Sequence, residues 1–139
     1  MPSAAQLKAI SESRLLEAKA LNAEGLYDGA HYIVGYAVET ALKAHICKIL
    51  QTDYPSGSIK ASFMTHDLSD LVKLSGLKSR FDVLMDTVPE FKANWSLIKW
   101  TEQYRYEPIG TISQQAMVEV FEALEEPVNG ILTWIKTSW

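Results

Sequence analysis

Cysteine is almost absent from this 139-residue chain. Cys47 stands alone, so no intramolecular disulfide can form, and no Cys/His set at zinc spacing surrounds it. It falls within a helical pattern and reads as a packing or helix-surface thiol. No apolar run approaches the roughly 20 residues needed to cross a bilayer. The opening MPSAAQLKAI lacks the basic stretch and apolar run of a secretory leader, so a soluble, cytoplasmic protein is expected. An excess of basic residues is also missing. Lys and Arg number 13 against 17 Asp and Glu, giving a net charge of -4. That balance argues against broad nucleic-acid binding, which wants clustered cations, and leaves room only for a small basic cleft. Histidine is scarce too: there are 3, and none follows His66.

A hydrophobic fraction of 47% with 22% charged residues belongs to a folded globular chain, and the length suits one domain over residues 1–139. Strand-like alternation is missing, while helical periodicity and cap signals recur. Ser3 and Gln6 form a capping box ahead of a helix over 4–24 that stops at Gly25. Leu7, Ile10, Leu15, Ala18 and Leu21 make its apolar face, and Arg14 shares it. Asp28 is placed to cap a second helix over 29–50, whose broad apolar face (Ala30, Val34, Ala37, Val38, Ala41, Leu42, Ile46, Ile49) predicts a central position. Gly35 in its interior predicts a backbone passing close by, and His45 is expected as a hydrogen-bonded core residue.

QTDYPSGSIKASF reads as the longest loop. Thr65 is the expected cap of a third helix over 66–74, closed by Gly76. Ser79 with Asp82 and Thr87 with Glu90 mark two further starts, with Pro89 suited to a first turn. Leu84, Val88, Phe91, Trp95 and Ile98 hold one helical phase that runs on to Glu102 and Arg105. Thr111 with Gln114 opens a last helix that stays in phase across Pro127, predicting one kinked helix. The tryptophans Trp95, Trp100, Trp134 and Trp139 are expected in the core or at a dimer seam, with Trp139 exposed unless a partner covers it. The expected architecture is all-α: an antiparallel, up-and-down bundle of four long helices with one or two short ones.

The stretch from Ala18 to Leu50 resembles the HEPN family (higher eukaryotes and prokaryotes nucleotide-binding). The family pattern "G-x-Y-x-x-A" stands here as Gly25, Tyr27 and Ala30, and "A-x-E-x-x-L-K-A" as Ala37, Glu39, Leu42, Lys43 and Ala44. A His-Asp-Leu start to the third helix is matched by His66, Asp67 and Leu68, and the family's "Tyr…Arg-Tyr-Pro" by EQYRYEP, with Glu107 as an extra residue before Pro108. The resemblance covers about residues 15–110 and implies a four-helix fold that often dimerises. It also implies a frequent association with a minimal nucleotidyltransferase in a toxin–antitoxin-like pair. In the family's ribonucleases an arginine is followed after four to six residues by a histidine that moves the proton while the arginine holds phosphate. Arg105 matches the arginine, but Gly110, Thr111 and Ile112 fill the three histidine positions.

The resemblance with that gap implies a non-catalytic or weakly catalytic binding module for a nucleotide, RNA phosphate or protein partner. A divergent metal-independent ribonuclease, with His66 or His31 replacing the absent histidine in space, and a structural dimerisation domain are the alternatives. Tyr32, Tyr36, Glu39 and Lys43 step by four, three and four along one stripe of the second helix, and Tyr104, Arg105 and Tyr106 cluster later. With His66 they are the candidate nucleotide or phosphate site. The plainer alternative makes Glu39 and Lys43 a helix-surface ion pair, Arg105 an interhelical partner, and His66-Asp67 the start of a capped helix. No metal or cofactor is expected.

Overall fold

The computed structural model describes residues 2–55 and 58–139, and the expected loop tip at Ser56 and Gly57 lies outside the described residues. Among the described residues seven α-helices pack into an all-helical bundle: α1 (Ala4–Ala23), α2 (Tyr27–Leu50), α3 (Leu68–Leu74), α4 (Lys78–Thr87), α5 (Pro89–Leu97), α6 (Gln114–Glu125) and α7 (Ile131–Lys136). Short 3-10 helices cover Ser58–Phe63, within the expected long loop, and Glu102–Tyr106. No described helix is long and apolar enough to cross a membrane.

α1 begins with the Ser3–Gln6 capping box, both reciprocal bonds being present. It ends where Gly25 takes φ +76°, which lets the chain reverse and lay α2 back along α1. The face α1 buries is Leu7, Ser11, Leu15 and Ala18. Ser11 replaces the expected Ile10 at the centre, because its hydroxyl donates to the Ala37 carbonyl at 2.6 Å and so enters the core satisfied. Arg14 leaves that face and pairs with Glu17 at 2.5 Å.

α2 is the central helix. Ala30, Val34, Ala37, Val38, Ala41, Leu42 and Ile46 are buried along it, whereas Ile49, expected inside, is 54% exposed beyond the last contact. Cys47 is buried, and desolvation pushes its thiol above the ordinary range, as expected of a packing residue. Gly35 faces not a backbone but a ring: a Cβ built there would lie 2.0–2.1 Å from three indole atoms of Trp100.

Several boundaries differ from the sequence expectations for local reasons. α2 starts at Tyr27, so Asp28 lies in its first turn and caps nothing there. Asp67, not Thr65, caps α3 by accepting from Asp70 N at 2.9 Å, while Thr65 accepts from Asp67 N. Leu77 and Val88 occupy the caps of α4 and α5 without side-chain bonds, and Pro89 opens α5. Ser113 caps α6 in place of Thr111.

A break near Val88, with Pro89 opening the next helix, is as expected, but the run expected to continue to Arg105 stops at Ile98 (φ -90°, ψ 73°), where the chain leaves the helix to seat Trp100. The last helix is two helices. Pro127 drives Glu126 to ψ 131°, and the Glu126 carboxylate accepts from Val128 N and Asn129 N, fixing a turn that leaves Val128 77% exposed. Trp139 is half-covered by this chain itself: its indole donates to the Ala41 carbonyl at 3.2 Å, with Lys8 and Lys136 over its ring.

Two buried histidines make the bundle acid-sensitive. His31 and His45 are 5% and 3% exposed, and each is held below the ordinary imidazole value of 6.5 chiefly by desolvation. For His45 the cations Lys48 and Arg80 add to the effect. Each therefore takes up a proton less readily in the folded chain than in the unfolded one. Their contribution is full above about pH 6.5 and is lost as pH falls below it. Thermal melts followed by circular dichroism should show a lower Tm at pH 5 than at pH 7.5, with a shallower decline in His45→Gln. An unchanged slope in that variant would remove His45 from the account.

Candidate functional site

Most of the candidate polar residues meet on one side of α2. Glu39 is only 3% exposed, yet its carboxylate is fully partnered. Lys43 Nζ reaches Oε1 at 2.7 Å, one helical turn on, and His66 Nδ1 lies 3.0 Å from both oxygens. The expected surface ion pair is thus a buried one with a third member from the segment before α3. Where the Glu39 oxygens accept from the ring, the imidazole N–H is the one at Nδ1. His66 keeps 46% of its side chain exposed.

Tyr36 stands beside this group, its ring 6.2 Å from that of His66, and its hydroxyl meets that of Tyr32 at 3.2 Å. Burial, and then the bond to Tyr32, push the Tyr36 hydroxyl well above its ordinary value, so it remains a neutral donor. Tyr54 and Trp100 complete the wall, and neither was singled out as a site residue from sequence. Tyr54 sits under Lys43 Nζ at 5.0 Å and donates to the Phe63 carbonyl. Trp100 packs edge-on against Tyr36 at 4.9 Å and donates to the Tyr32 carbonyl at 3.1 Å. The unexplained Gly35 was the available signal for Trp100; Tyr54 left none, since it sits in a stretch without periodicity.

Arg105 arrives on a strap, residues 100–112, laid across the beginning of α2. Trp100 anchors one end over Gly35. In the middle Tyr104 stacks on His31 with ring centroids 4.5 Å apart, so this candidate is diverted from the site into holding the strap. Asp28 accepts from the amides of Gly110 at 2.6 Å and Ile112 at 2.9 Å, and fixes the other end. Arg105 itself is exposed and lies over the Tyr106 ring at 4.9 Å. Tyr106, and then Tyr32, hold its guanidinium even more firmly charged than usual. Among the described residues no carboxylate forms a salt bridge with it.

Beside His66 runs a cleft of about 370 Å³ lined by Met64, Thr65, His66, Asp67, Thr101, Glu102 and Gln103. Glu102, held low first by its own backbone amide, also feels both His66 and Arg105. Among the described residues no three His, Cys, Asp or Glu side chains gather to hold a metal ion. What the arrangement offers is an exposed guanidinium over a tyrosine ring on the strap and, lining the cleft, an imidazole bonded to Glu39.

No family model, curated protein or solved structure matches the chain.

Proposed function

We propose that this chain is a HEPN-type binding module that holds a phosphate-bearing ligand, a nucleotide or an RNA phosphate, at Arg105. One observation carries the reading. The Arg105 guanidinium is exposed, forms no salt bridge among the described residues, and lies over the Tyr106 ring. A structural arginine is normally claimed by an acid; a fork without one suits a phosphate, which it can grip through two parallel N–H bonds. Tyr106, 73% exposed beside it, offers a face for a base. The resemblance supplies the partners: a second copy and a minimal nucleotidyltransferase. Ile109, fully exposed on the same strap, gives a protein partner an apolar contact next to the site.

Titration with ATP and with a short single-stranded RNA tests the reading. Arg105→Ala is expected to weaken binding at least about tenfold, the usual scale of losing a charge-assisted bond, with Tm unchanged because the side chain is at the surface. Failure of the unaltered protein to bind either probe would remove the proposal.

His66 favours a second reading, a divergent ribonuclease. The proton-transfer group missing from Gly110–Ile112 has a counterpart in an imidazole oriented by Glu39. This reading requires RNA cleavage to a 2′,3′-cyclic phosphate without added metal, abolished in His66→Gln. Intact RNA after prolonged incubation leaves the binding module standing alone.

A further inference from the structure

We infer that Asp28 is the positioning residue for the anion site, acting on Arg105 through the strap; the inference rests on the binding role proposed above. Asp28 and Arg105 are on different elements and do not form a salt bridge. What joins them is the turn over 108–112. There Thr111 donates to the Pro108 carbonyl through both Oγ1 (2.5 Å) and N (3.2 Å), while Gly110 takes φ +91°. This folding turns the amides of Gly110 and Ile112 the same way, toward the start of α2. Asp28 Oδ2 takes the first and Oδ1 the second. A carboxylate is the side chain that satisfies two converging N–H groups with charge assistance. These bonds, Gly110 first, hold the carboxyl below its ordinary value, so the clasp stays ionised.

Position gives the clasp its meaning. Arg105 lies between Trp100, locked over Gly35, and the turn that Asp28 holds. The 3-10 helix carrying Arg105 has few other ties: no residue of Glu102–Tyr106 is buried, and only Tyr104 stacks inward. Released at the Asp28 end, the strap keeps Trp100 and Tyr104 but loses the tie beyond Arg105 and the Tyr106 ring under it. Asp28 thus shapes the site without touching a ligand.

The test compares Asp28→Ala and Asp28→Asn with Arg105→Ala, using ATP as the probe and NMR of the Arg105 Nε–H and of the Gly110 and Ile112 amides. Asp28→Ala is expected to speed exchange at both amides, to broaden or shift the Arg105 Nε–H signal, and to weaken ATP binding about as much as Arg105→Ala does. Asp28→Asn keeps one acceptor and should fall between Asp28→Ala and the unaltered protein in all three readouts. Arg105→Ala should lose ATP and leave both amides protected. An Arg105 signal or ATP affinity unchanged in Asp28→Ala, with the amides released, overturns the inference while the binding role stands. If the unaltered protein binds no ATP, that role fails, and the Nε–H signal alone decides whether Asp28 sets Arg105.

Discussion

Gly35→Ala should be among the most damaging single-methyl changes this chain can suffer. In the interior of α2 alanine would ordinarily gain about 1 kcal/mol of helix propensity over glycine. Here the added Cβ would lie 2.0–2.1 Å from the Trp100 ring, well inside any real contact distance. The indole is a rigid plane, 6% exposed, and its Nε1 is committed to the Tyr32 carbonyl, so it cannot tilt away. It must leave, losing that bond, its edge contact with Tyr36 and much of its burial. Overpacking costs about 1–3 kcal/mol and the lost bond about 1 more, offset by about 1 of propensity, so the net expectation is about 1–3 kcal/mol. For a domain of this size that lowers Tm by roughly 3–10 °C. ATP affinity should fall with it, since Trp100 anchors the strap. Combining Gly35→Ala with Trp100→Leu should cost less than the two changes summed. Strict additivity, or a stabilised Gly35→Ala protein, would show that the ring and the glycine are not coupled.

Glu39→Ala is expected to cost about 3 kcal/mol, the scale of breaking a buried ion pair from one side. The carboxylate is the shared partner of Lys43 and His66, and Lys43 has only 15% of its side chain exposed, so its ammonium would be left half-buried over the Tyr54 ring. Glu39→Gln keeps the shape and one acceptor and should cost less. The informative variant is Glu39→Gln with Lys43→Met, which removes both charges. It should recover most of the stability lost in Glu39→Ala, because the penalty lies in the unpaired cation. Chemical denaturation measures all three. A Glu39→Ala protein within about 0.5 kcal/mol of the original, as a surface pair would be, contradicts the buried description.

Helix identity was readable from sequence where a strong signal was local. The Ser3–Gln6 box and the Gly25 stop bracket α1 as expected, and the apolar stripe of α2 marks it as central. Boundaries failed where a cap has neighbours of similar chemistry: Thr65 beside Asp67, Thr111 beside Ser113. Phase failed at Pro127, since the five-residue turn over 126–130 returned the apolar residues to register while breaking the helix. In the site, the stripe of Tyr32, Tyr36, Glu39 and Lys43 was legible because a helix repeats its faces. The roles of Asp28, Trp100 and Tyr54 were not, because each depends on a residue far away in sequence. Tyr104 was misplaced for the same reason, its partner being His31.

The strap has a kinetic consequence. Its clasp joins residues 82 and 84 positions apart, whereas α1 and α2 meet across the short turn at Gly25. Closing the longer loop is entropically more demanding and is rewarded only once α2 exists to receive it. The helical hairpin is therefore expected to form before the strap is seated, so that a chain halted between the two would have α1 packed on α2 and Arg105 not yet in place.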